Sequence, residues 1–276
     1  MKTNRFLILA FCTSLSLSGN TVTLGQAKET ITVPLSDPAK PGSLKVNLLN
    51  GTIRISGYAG KEVVIEATGK VSDQSDKPKD ENAAGMRRII PSSGLELTAT
   101  EENNAIKVST RLVNKAMNLH IKVPQKFMLK ASTVNDGDII VENVDGELEI
   151  ANVNGDISLT NVSGSAVANT INGTLKAIFK TVDAKSPMAF STLNGNVDVT
   201  LPATAKFDVK LKSDRGEIYS DFDVDIDKSQ PQATRTSKEG MFKVSLEDWV
   251  KGKVNGGGSE IMMKNMNGNI YVRKAK

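Results

Sequence analysis

Glycine recurs every nine residues through the middle of the chain, at Gly137, Gly146, Gly155, Gly164 and Gly173. The residues before them are Asp136, Asp145, Asn154, Ser163 and Asn172, so each pair is a turn signal. Val144, Val153, Val162 and Ile171 stand two places before their glycines, and Val134 stands three places before Gly137. Apolar residues return two and four places after: Ile139 and Val141, Leu148 and Ile150, Ile157 and Leu159, Ala166 and Ala168, Leu175 and Ala177. Such alternation marks a strand with one buried face. A strand of about five residues plus a polar corner fills the unit, and the corners must turn at the surface. Strands repeated at a fixed period stack.

Two units make 18 residues, the spacing from Gly137 to Gly155 and from Gly155 to Gly173; Gly195 and Gly216 follow after 22 and 21. The expectation is an all-β solenoid with turns of about 18–22 residues. Each turn lays its strands in parallel on those of the turn before. Asn143, Asn152 and Asn161 hold one position in successive units. Asn143 and Asn161 should therefore lie one above the other and hydrogen-bond along the axis.

The flanks are strand-like without the nine-residue period. Leu44, Val46 and Leu48 alternate with polar residues, Asn50-Gly51 turns, and Ile53 and Ile55 resume. Val63 to Ala67, Ile106 and Val108, Met117 to Val123 and Phe127 to Ala131 continue the pattern. Residues 72–88 read as a polar loop. Residues 28–134 are thus an N-terminal β region and cap, and 135–276 the solenoid repeats with a C-terminal cap. In that second cap, Gln230 to Glu239 is a polar linker and Trp249 a capping core residue. Ile261, Met263, Ile270 and Val272 close the chain around Asn267-Gly268. Caps are needed because open ends invite edge-to-edge growth.

Lys2 and Arg5 precede a mostly apolar run from Phe6 to Leu17, too short to span a membrane and suited to an export signal. Gly25 and Ala27 place small residues before a cleavage point after Ala27; cleavage after Ser18 is the alternative. Phe11 before Cys12 is wrong for a lipoprotein signal. Loss of residues 1–27 leaves 33 basic against 31 acidic residues and no cysteine. A surface so balanced gives no push toward nucleic acid. No later apolar run reaches membrane length.

One His and one Cys exclude any site that needs two of either. His120 lies on the polar side of its strand with no partner nominated by spacing. Asp221, Asp223, Asp225 and Asp227 alternate with Phe222, Val224 and Ile226, placing four carboxylates on one strand face. Neighbours there are about 7 Å apart, too far to chelate one cation without a second strand. They read first as a charged face that blunts an edge. Asn50, Asn161 and Asn172 begin N-glycosylation sequons but read as turn residues. Lys251, Lys253, Lys264, Arg273, Lys274 and Lys276 make the C-terminal end basic, and read as a solvated face.

The repeated units such as Val153-Asn154-Gly155-Asp156-Ile157-Ser158-Leu159 occur with a strand Ile121-Lys122-Val123-Pro124 and a C-terminal Asn267-Gly268-Asn269-Ile270-Tyr271-Val272-Arg273-Lys274. Together they resemble the bacterial β-strand-repeat putative adhesin family, over roughly residues 43–276. The resemblance implies an exported, single-stranded, right-handed parallel β-helix at the cell envelope, and it carries over no catalytic residue. The expectation is a non-enzymatic, adhesin-like protein of the periplasm or cell surface, with no cofactor and no metal. Its partner would be an envelope protein or a glycan. The alternative is a carbohydrate-active enzyme or Ca-dependent glycan binder using Asp221, Asp223, Asp225 and Asp227.

Overall fold

The computed structural model describes residues 27–69, 97–110, 116–228, 233–238, 241–246 and 249–276. The expected leader, except its last residue, and the polar loop 72–88 lie outside them. Along the chain run β1 (Ala27–Pro34), β2 (Gly42–Asn47), β3 (Ile53–Tyr58), β4 (Glu62–Gly69), β5 (Leu97–Glu102), β6 (Ala105–Thr110) and β7 (Met117–Pro124). The repeat supplies β8 (Phe127–Thr133), β9 (Ile139–Glu142), β10 (Asp145–Asn152), β11 (Ile157–Asn172), β12 (Leu175–Val182), β13 (Met188–Asn194) and β14 (Val197–Leu201). Then come β15 (Phe207–Ser213), β16 (Ile218–Ser220), β17 (Asp225–Ile226), β18 (Ala233–Lys238), β19 (Met241–Leu246), β20 (Val250–Val254), β21 (Ser259–Asn267) and β22 (Ile270–Lys274). Among the described residues no helix is long and apolar enough to cross a membrane.

The fold is all-β and solenoid-like. A rung is a strand on one face, a corner, and a strand on the opposite face. On the first face β8, β10, the second half of β11 and β13 pair in parallel. On the second face β9, the first half of β11, β12 and β14 do the same. β11 serves both faces, bending where its register shifts between Thr160 and Ser163. Alternate residues point inward, as Val197, Val199 and Leu201 do in β14. One core runs from Val33 to Val272 between the faces. The 18-residue period and the parallel stacking of the middle rungs agree with the sequence reading.

The ends do not follow sequence order. The rung β2–β3 lies between β6–β7 and β8–β9. The rung β21–β22, expected as a terminal cap, lies between β13–β14 and β15–β16. Gly216 accordingly stacks on Gly268, and Gly268 on Gly195, rather than Gly216 on Gly195. The cause is the turn after β20. β20 runs antiparallel along the far side of β15. Asn255, Gly256 and Gly257 all have positive φ, and Asn255 Nδ2 donates to the carbonyls of Ala203 and Ala205. The chain then crosses the start of β15, where a Cβ on Gly258 would strike the Lys206 carbonyl. It emerges on the near side of β15, and β21 fills the gap left there.

Antiparallel strands flank the stack at both ends, so strand orientation is mixed. β5 lies on β6, and β4 and β1 extend β7. At the other end β17 pairs with β20. Residues 233–238, expected in a polar linker, form a hairpin with 241–246.

Candidate functional site

The corner leading from the first face to the second is the most regular surface of the molecule. Its glycines stack, each where a Cβ would strike the carbonyl of the one beneath: Gly155 on Gly137, Gly173 on Gly155, Gly195 on Gly173, Gly268 on Gly195. Each carbonyl receives a bond from a buried polar side chain of the next rung. Thr133 Oγ1 donates to Gly51 O, Asn152 Nδ2 to Gly137 O, Thr170 Oγ1 to Gly155 O, Thr192 Oγ1 to Gly173 O, and Asn265 Nδ2 to Gly195 O. These bonds let a tight corner enclose carbonyls without leaving them unpaired.

Outside that seam runs an asparagine ladder. Asn154 Nδ2 donates to Asn135 Oδ1 at 3.1 Å, Asn172 to Asn154 at 2.8 Å, Asn194 to Asn172 at 2.8 Å and Asn267 to Asn194 at 2.6 Å. Arg215 caps it on Asn267 at 3.5 Å. The residues one place earlier form a parallel apolar ridge: Leu49, Val134, Val153, Ile171, Leu193 and Met266. Leu49, Ile171, Leu193 and Met266 are 37–43% exposed. The ridge is continuous because Met266 of the inserted rung sits beside Leu193.

The acidic row is divided. Phe222 turns into the core and meets Phe207 edge-on, ring centres 5.4 Å apart. This ends the strand at Ser220, and pairing resumes only at Asp225. Asp221 stays on the second face, where it accepts the Lys274 amide at 3.4 Å. Asp225 and Asp227 reach a groove of about 420 Å³ on the first face, shared with Asp208, Glu260, Lys251 and Lys253. Asp223 is exposed between them. The expectation of four carboxylates on one strand is therefore corrected. Among the described residues no group of three acidic or His side chains is placed to hold a metal ion.

His120 does find partners. Its Nε2 lies 3.4 Å from Ser56 Oγ, and Glu66 is its register partner in β4. Glu66, however, is held by Lys28 at 3.0 Å and Lys122 at 3.9 Å. The Lys28 hydrogen bond, then its charge, draws the Glu66 pKa below its ordinary value. The group is an ion-pair network on an outward sheet face, with Arg54 and Glu142 alongside at 3.5 Å. Trp249, expected in a capping core, is half-buried with the Lys210 ammonium 4.9 Å from its ring centre. Phe222 does the capping instead.

Residues 13–272 match the model of the family described as Toastrack DUF4097. The chain belongs to the Toastrack DUF4097 family. No curated protein matches it. Among solved structures, this Toastrack chain is similar to a putative cell adhesion protein from Clostridium sporogenes, at 13% identity and TM-score 0.42, covering 91% of this chain and 100% of that one. A putative adhesin from Bacteroides fragilis follows at 12% identity and TM-score 0.36, covering 91% and 99%. A putative lipid binding protein from Parabacteroides distasonis gives 11% identity and TM-score 0.22, covering 90% of this chain and 97% of that one.

The sequence carried a signal for the Toastrack corner that the nine-residue glycine count hides. It is a four-residue phrase, polar–apolar–Asn–Gly: Asn152-Val153-Asn154-Gly155, Thr170-Ile171-Asn172-Gly173, Thr192-Leu193-Asn194-Gly195 and Asn265-Met266-Asn267-Gly268. Its first residue bonds inward, its second forms the ridge and its third the ladder. The expected contact between Asn161 and Asn143 is present at 3.4 Å on the opposite corner, where both have positive φ. Asn152 instead turns inward and caps Gly137.

Proposed function

We propose that this protein is an exported, non-enzymatic, adhesin-like β-solenoid that binds or scaffolds at the cell envelope, in the periplasm or at the cell surface. The apolar ridge from Leu49 to Met266 carries this reading. Strands stack about 4.8 Å apart, so the ridge offers one apolar contact per rung beside one amide per rung. Rows of exposed apolar side chains mark interaction surfaces. A partner that lies along the stack meets the same pair of groups at every step, which is how a repeat protein gathers many weak contacts. Removal of residues 1–27 as a leader fits the basic start and short apolar run. The parallel middle rungs support a right-handed parallel β-helix, since parallel crossovers are right-handed in nearly all sheets. Division of the Asp221–Asp227 row weighs against the alternative of an enzyme or Ca-dependent glycan binder built on it.

The test is co-sedimentation of the purified protein with bacterial cell-envelope fractions. Ile171→Asn combined with Leu193→Asn should weaken binding ten-fold or more, because both positions already face solvent and the fold should survive. Lys176→Ala with Lys180→Ala, on the second face, should leave it unchanged. Undiminished binding of the ridge variant, with its melting temperature preserved, would refute the reading.

A further inference from the structure

The asparagine ladder uses only half of each amide. A side-chain amide has two N–H donors and a carbonyl with two lone pairs. Asn154, Asn172 and Asn194 each donate one N–H to the rung before and accept one from the rung after, and all three are exposed. Each keeps one donor and one lone pair. A second such ladder supplies the matching acceptor and donor at every rung. The spacing of about 4.8 Å narrows the partner further. An α-helix turns every 5.4 Å or so, and an extended strand repeats its side chains about every 6.6 Å, so either slips out of step within a few rungs. A second stack with the same spacing stays in step along the whole seam.

Charges at the two ends choose the orientation. Asp136 is an extra residue in its corner, exposed at φ 53° between Asn135 and Gly137. Arg215, also exposed, continues the ladder one rung beyond Asn267 and spends one N–H on it. The rungs between them carry Val153, Ile171, Leu193 and Met266 on the ridge and asparagines on the ladder, none of them charged. The seam thus has an acidic end and a basic end. Two copies running the same way would set like charge on like. A two-fold axis across the ridge reverses one copy and keeps ridge on ridge and ladder on ladder. It also sets Asp136 of each copy against Arg215 of the other. We propose that the protein forms an antiparallel homodimer along this seam. Val153 faces Met266 and Ile171 faces Leu193 of the second copy, and an Asp136–Arg215 ion pair closes each end. Leu49 and Val134 lie outside the seam. Four rungs fall short of the about 800 Å² per partner of a standard interface, so the dimer is weak and concentration-dependent. The inference rests on the ridge being a contact surface, and names a second copy as what it contacts, the scaffolding form of the function above.

Sedimentation velocity of the purified protein at rising concentration reads the dimer with no envelope present. Ile171→Asn/Leu193→Asn should stay monomeric. Asp136→Lys or Arg215→Glu alone sets like charges together at both ends and should weaken association about ten-fold. The double exchange should restore it. Asp136→Lys and the double variant share the same side chain at position 136, so rescue reports charge and not folding. Val153→Cys with Met266→Cys should give a covalent dimer on oxidation, because within one chain the two lie three rungs, about 14 Å, apart and out of disulfide reach. Val134→Cys with Leu193→Cys, equally far apart and opposed only if Leu49 faced Met266, should not. A protein monomeric at every concentration, a double exchange that fails to rescue, or crosslinking through 134 and 193 instead overturns the proposal. If the protein never dimerises and Ile171→Asn/Leu193→Asn still loses envelope binding, the dimer falls and the ridge reading stands.

Discussion

Gly195 and Gly256 both have positive φ, at 141° and 92°, yet they are held there for different reasons. A Cβ on Gly195 would strike the Gly173 carbonyl, whereas one on Gly256 would meet nothing within 4 Å. Gly256→Ala therefore adds backbone strain alone, about 1 kcal/mol, while Gly195→Ala adds displacement of the rung beneath and should cost about 3 kcal/mol or more. Denaturant titration of the two variants checks the difference. Asn265 offers the opposite case. It is buried to 1% exposure, and its Oδ1 has no partner, whereas Asn152 Oδ1 accepts the Val153 amide. Thr170 and Thr192 perform the same inward bond with a smaller side chain. Asn265→Thr should thus raise stability by about 1 kcal/mol, seen as a higher denaturation midpoint. The glycines were legible in the sequence because turn chemistry is local. The inward bonds were not, because a Thr or Asn on a strand reads as outward until the rung beside it is placed.

Among the elements, the clip between the β1–β2 loop and the β5–β6 hairpin shows how the N-terminal end is held. Glu101 accepts bonds from the Asn104 amide at 2.8 Å, the Ser36 amide at 3.1 Å and the Ser36 hydroxyl at 2.8 Å. The Asn104 backbone bond, then those of Ser36, draws the Glu101 pKa below its ordinary value of 4.5. A depressed carboxylate stabilises the fold above that ordinary value, and the contribution is lost as pH falls through the lowered one. The protection factors of the Ser36 and Asn104 amides should fall on acidification below pH 4.5, and Glu101→Gln should show low protection already at neutral pH and largely lose that acid dependence. The inward faces of β2, β3, β6, β7 and β8 were readable from alternation alone, although their pairing was not. The 221–227 segment was not, because four alternating Asp give the pattern of a strand while Phe222 finds a better place against Phe207. Alternation records which residues could share a face and is silent on where a core ends.

The whole molecule depends on an order of rungs that differs from the order of the sequence. β21 and β22 supply an interior rung, bonded on both sides. Deleting residues 259–276 should therefore unfold the C-terminal half rather than trim it, with loss of strand signal by circular dichroism well beyond the deleted length. Deleting β1, which among the described residues pairs only with β4, should cost far less. This order was hidden from the sequence, since 21 residues separate Gly195 from Gly216, a spacing that fits one turn as well as any other. The turn at Asn255–Gly258 redirects the chain, and nothing in its composition says which gap it enters. The same order places Met266 beside Leu193 and Asn267 beside Asn194, making ridge and ladder continuous. Paired cysteines test it most directly, because a disulfide forms only when the two Cα atoms lie within about 7 Å. The account predicts that Asn194→Cys with Asn267→Cys crosslinks in the folded protein, and that Asn194→Cys with Arg215→Cys does not. The reverse outcome, with 194 joined to 215 and not to 267, would mean that the rungs stack in sequence order and would contradict the account.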